Sequence, residues 1–88
     1  MSKVTVNYCV VDKGKSAQYR TFTGLATTKW PAVLKRMARI GGATATVQGI
    51  GIARLAPVSR MRYFSVAELK GRTINELCSG GELVQLFA

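Results

Sequence analysis

Chemistry at neutral pH most often starts from a histidine, and this 88-residue chain contains none. The commonest general base and the commonest metal ligand are therefore missing together. Cys9 and Cys78 stand far apart and outside any Cys-x-x-Cys spacing, so they build neither a zinc site nor a redox pair. The carboxylates Asp12, Glu68, Glu76 and Glu82 are scattered, whereas paired-carboxylate catalysis needs two acids in one cleft. Glu68 follows Ser65, and Glu76 follows Thr73, at the three-residue spacing of a capping box. Their expected work is closing helix N-termini. A cysteine nucleophile without a histidine to activate it is poorly supported. Gly49 and Gly51 lack the third glycine and the helix start that a phosphate loop requires. The expectation is a non-catalytic protein that uses no metal and no cofactor.

The chemistry that remains is cationic. The formal charge is +9, and all of the thirteen lysines and arginines except Lys70 and Arg72 precede Ser65. Of the four acids, only Asp12 lies among them. A field of one sign attracts polyanions and acidic protein faces, and it speeds encounter with both. Two segments interleave cations with aromatic rings: Lys13, Lys15, Tyr19, Arg20 and Phe22, then Arg60, Arg62, Tyr63 and Phe64. Cations neutralise phosphates, and an exposed ring offers a base a surface to stack on. The same letters also describe strands with rings turned inward and arginines outward.

These side chains need elements to position them. Residues 3–11 alternate, with Val4, Val6, Tyr8 and Val10 on one face and Thr5, Asn7 and Cys9 on the other. That period marks a half-buried strand. Residues 12–16 form a turn cluster, and 18–25 a second strand, so an antiparallel hairpin is expected. Thr27 and Thr28 are candidate caps for a helix through Trp30–Ile40, with Pro31 in its first turn. Trp30, Val33, Leu34, Met37 and Ile40 make its buried stripe, and Gly41–Gly42 ends it. Lys29, Lys35, Arg36 and Arg39 lie off that stripe, with no acid in the helix to pair with them. Residues 43–55 read as a third strand with a small face, including Gly49 and Gly51, and a large face of Ile50 and Ile52. The helix is expected to pack across the small face, because glycine in a strand invites close approach. Residues 60–64 are a short fourth strand. The two capping boxes predict short helices, and 82–87 is either a final strand or a docked tail.

Taken together, the fold class is α+β: a small antiparallel sheet of hairpin, third and fourth strands, an amphipathic helix, and short C-terminal helices. The length implies one domain over residues 1–88. The start of the chain has no signal-peptide pattern, and no apolar run is long enough to span a membrane. A cytoplasmic setting with reduced thiols is the expectation. The residues carry no homeodomain, RRM, KH or cold-shock signature.

The leading functional expectation is a nucleic-acid-binding module, for DNA or RNA. It would contact phosphates through Lys13, Lys15, Arg20, Lys29, Lys35, Arg36, Arg39, Arg54, Arg60 and Arg62, with Tyr63 as a stacking ring. The alternative is a small docking or inhibitor module, of the size carried by phages and mobile elements, on an acidic face of a larger partner. There Ile50, Ile52 and Leu83–Phe87 would form the interface, and removing residues after Gly81 would abolish it alone. A third expectation is a homodimer through Ile50, Ile52 or a sheet edge.

Overall fold

The computed structural model describes residues 2–12, 18–43, 46–55 and 57–88. Strand β1 spans Lys3–Val11 and β2 spans Arg20–Leu25, antiparallel, with Lys3 opposite Leu25 and Tyr8 opposite Arg20. The connecting residues 13–17 lie outside the described residues. Helix α1 spans Trp30–Ile40, followed by β3 at Gly49–Arg54 and β4 at Arg62–Ser65. Two single-turn helices, α2 at Val66–Leu69 and α3 at Ile74–Leu77, precede β5 at Glu82–Phe87.

The five strands form one sheet in the order β2-β1-β5-β3-β4. The fold is α+β, but the sheet is mixed where an antiparallel one was expected. β5 inserts between β1 and β3, parallel to the first and antiparallel to the second. The segment expected as a strand or tail is therefore the middle strand. Its alternating burial over Glu82–Phe87 reflects a pleat paired on both sides.

Residues opposite each other have the same parity throughout the sheet, so the even-numbered positions of all five strands share one face. That face holds Val6, Tyr8, Phe22, Ile50, Ile52, Val84 and Leu86, all buried. Trp30, Val33, Leu34 and Met37 of α1 pack with them in one core cluster. Burying an apolar side chain of this size stabilises by roughly 1.5–3 kcal/mol. The helix stripe ends at Met37, because Ile40 is 51% exposed.

The helix lies on the large face of β3, which corrects the expected packing. Ile50 and Ile52 point into the core, while Gly49 and Gly51 face the other way. A Cβ on Gly51 would meet Met61 and Phe87, and one on Gly49 would lie 2.8 Å from the Phe64 carbonyl oxygen. The glycines thus admit neighbours on the sheet's other face. The strand itself is shorter than the expected 43–55. Gln48 N–H donates to Phe87 O just before β3 begins, while residues 44–45 lie outside the described residues.

Both capping boxes form. The Ser65 N–H donates to the Glu68 carboxylate at 2.7 Å, and the Thr73 N–H donates to that of Glu76. The start of α1 is different: its N-cap is Lys29, without a side-chain cap, in place of Thr27 or Thr28. The Trp30 N–H donates to Arg72 O at 2.9 Å, and Lys29 Nζ donates to Gly71 O at 2.9 Å. Tertiary contact with the loop after α2 does the work expected of a local hydroxyl.

Candidate nucleic-acid interface

β3 and β4 are joined by a turn that carries its own clamp. The Arg54 N–H donates to Ser59 Oγ at 2.8 Å, and the Ser59 N–H donates back to Arg54 O at 3.1 Å. Ser59 Oγ also donates to Arg60 O at 3.3 Å, so the hydroxyl's proton is engaged as well. The clamp fixes Arg54 at the end of β3, Arg60 in the turn and Arg62 at the start of β4. All three border one cleft of about 420 Å³, with Ile52, Ser79 and Glu82 completing its walls. The Arg62 guanidinium sits 5.6 Å from the centre of the Phe64 ring, which orients it by a cation–π contact.

Glu82 stands opposite Arg54 in the β3–β5 register, yet its carboxylate is turned elsewhere. Oε1 accepts from the N–H groups of Ser79, Gly80 and Gly81 at 2.8, 2.9 and 3.0 Å, and Oε2 accepts from Ser79 Oγ at 2.9 Å. Burial alone would raise its pKa, since the residue is only 6% exposed. The hydrogen bonds from Ser79, Gly80 and Gly81 outweigh that and hold it below the ordinary carboxylate value. Glu68 and Glu76 are likewise bound to backbone N–H groups. Among the described residues, no carboxylate forms an ion pair with Arg54, Arg60 or Arg62. The cleft therefore keeps three cations against one internally satisfied anion.

Tyr63 is 69% exposed and occupies the sheet face opposite Arg62 and Phe64. Its ring lies 6.0 Å from that of Phe87 at an interplanar angle of 34°. The two strands that carry these rings flank β3, whose glycines leave the space between them. Because β4 is an edge strand, Tyr63 and Arg62 flank the same sheet edge from its two faces. Tyr19 is exposed, Phe22 and Trp30 are buried, and Phe64 is half-buried.

The remaining expected cations do not join this cleft. Arg20 and Arg62 lie in one cross-strand row, Arg20–Tyr8–Val84–Ile52–Arg62, at opposite edges of the sheet. Four inter-strand spacings put them roughly 19 Å apart. Lys35, Arg36 and Arg39 are exposed on α1. Lys35 and Arg39 border a separate groove of about 460 Å³ with apolar walls of Pro31, Leu34, Ala38, Val47 and Val66. Lys29 is held at the helix start by Gly71. Lys13 and Lys15 lie outside the described residues. Ile50 and Ile52, expected at an interface in two of the three readings, are each 1% exposed. They are core because the sheet turns its large face to α1.

Ser59, Ser79, Glu82 and Met61 went unread in the sequence as site residues, and Phe87 was read only as part of a docking interface. Only the Gly80–Gly81–Glu82 run carried a local signal, that of a tight loop whose N–H groups can converge on an acid. Among the described residues no cluster of cysteines and carboxylates is arranged to hold a metal ion, and no helix is long and apolar enough to cross a membrane. Comparison with protein-family models, with curated proteins and with solved structures returned no match.

Proposed function

We propose that this protein is a non-catalytic nucleic-acid-binding module whose phosphate-contacting centre is the cleft of Arg54, Arg60 and Arg62. The observation that carries the reading is the disposal of the acids. Glu68, Glu76 and Glu82 all direct their carboxylates to backbone N–H groups of their own loops, leaving Arg54, Arg60 and Arg62 with no carboxylate partner among the described residues. Guanidinium groups gathered without a counter-ion favour a phosphate, which they can bind through two parallel hydrogen bonds. Lys35, Arg36 and Arg39 on α1 add a positive field that steers approach. A cytoplasmic, reducing setting accords with the free thiols of Cys9 and Cys78.

The test is a salt titration of oligonucleotide binding. With about three phosphates neutralised, log affinity falls against log salt with a slope of about −2 to −3. Arg60→Ala and Arg62→Ala each reduce that slope by about 1. A flat salt dependence overturns the reading.

A second reading, docking on an acidic protein face, draws on the groove beside α1 with its apolar walls and its Lys35 and Arg39 rim. Lys35→Glu combined with Arg39→Glu separates the two readings. Docking there is lost by charge reversal, whereas binding centred on the arginine cleft is only weakened through the reduced field and keeps its dependence on Arg60 and Arg62.

A further inference from the structure

The sheet face opposite α1 carries a feature that phosphate binding alone does not use. Gly51 forms a floor on which Met61 and the edge of the Phe87 ring rest. Tyr63 stands beside them, its ring already held against Phe87 at 6.0 Å and otherwise open to solvent. A soluble protein gains nothing in stability from leaving a tyrosine that exposed, and a ring fixed on one side costs little further ordering when something stacks on the other. Tyr63 follows Arg62 directly and points to the opposite side of an edge strand. A ligand wrapping that edge meets guanidinium groups on one side and an aromatic plane on the other.

Resting on the nucleic-acid reading above, we propose that the ligand is single-stranded, with one unpaired base stacked on Tyr63 while its flanking phosphates enter the Arg54–Arg60–Arg62 cleft. Duplex bases are already stacked and paired, so a ring on a sheet face cannot reach their planes. A duplex also presents phosphates along an extended surface, whereas this cleft gathers three arginines about one small volume. Base–aromatic stacking tolerates any base, because each has a π-face. The site therefore selects strandedness over sequence.

The experiment is fluorescence anisotropy with a labelled 12-mer of thymidines and with a mixed-sequence duplex of the same length, at one fixed salt concentration. The single strand is expected to bind at least tenfold more tightly than the duplex. Tyr63→Ala is expected to weaken single-strand binding about tenfold, and Tyr63→Phe to leave it within about twofold, as one stacked base requires. Circular dichroism melts of both variants, expected to keep the parent's cooperative transition with at most a few degrees lost in Tyr63→Ala from the Phe87 contact, exclude misfolding as the cause. Equal or tighter duplex binding, or an unchanged Tyr63→Ala variant, overturns this inference while leaving the phosphate cleft standing. No binding of either oligonucleotide overturns both.

Discussion

Glu82 concentrates three roles in one side chain: it closes the Ser79–Gly81 loop, opens β5 and lines the arginine cleft. Replacing it by Gln keeps one oxygen for the three N–H groups but removes the charge that strengthens those bonds. Its amide nitrogen must donate to Ser79 Oγ, which now donates to Oε2. The expected loss is about 1–3 kcal/mol, read as a lower denaturant midpoint at unchanged slope. Its folded pKa lies below its unfolded one, as does that of Glu76, which the Thr73 N–H holds down. The stability these groups supply is present above the unfolded carboxylate value and disappears as pH falls through the folded value. The melting temperature should therefore fall between about pH 5 and pH 3, less steeply in Glu82→Gln. The thiols are silent by contrast. Burial, with Glu82 nearby, pushes Cys78 up to about 12, and burial also raises Cys9. Neither forms thiolate at neutral pH.

Among the elements, β3 is the most constrained. Its Gly49 has a neighbouring backbone oxygen where a Cβ would go, whereas the atoms nearest a Cβ on Gly51 are the end of the flexible Met61 side chain. Gly49→Ala should cost about 1–3 kcal/mol by overpacking. Gly51→Ala should cost less, because a methionine re-packs readily; thermal melts of the two variants check the order. A stop after Gly81 should give an unfolded chain by circular dichroism, since it removes a strand paired on both sides together with Val84 and Leu86. The central place of β5 in the sheet corrects the expectation that residues 82–87 could be removed as a separate interface. The first strand and α1 were legible in the sequence to their end residues, because the alternation that starts at Lys3 and the turn cluster after Val11 bound one, and a helical stripe with Pro31 in its first turn and Gly41 after its last bounds the other. The place of β5 was not, because six apolar-alternating residues say nothing about which distant strand they join. The α1 cap was misplaced for a related reason: Arg72, not a neighbour in sequence, supplies the acceptor.

At the scale of the molecule, the described cations border separate grooves: Arg54, Arg60 and Arg62 line one, and Lys35 and Arg39 another. Arg54, Arg60 and Arg62 share a hairpin, so their convergence was partly legible from their closeness in sequence; the pairing of Tyr63 with Phe87 was not. Arg20 lies at the opposite sheet edge, roughly 19 Å from Arg62 by strand spacing. Arg20→Ala should accordingly change oligonucleotide affinity less than twofold, while Arg62→Ala lowers it several-fold; anisotropy on both variants checks this. A loss at Arg20 as large as at Arg62 would mean the ligand crosses the whole sheet.

The strand order also dictates a timetable for the nascent chain. The β1–β2 and β3–β4 hairpins share no ladder with each other; each pairs only with the strand between them. That strand is the last of the five to be synthesised. Until it emerges, two separate hairpins wait with open inner edges and half a core each, vulnerable to pairing with other chains. Assembly must then follow as a single late step dominated by distant contacts, which makes for slow folding in a chain this short.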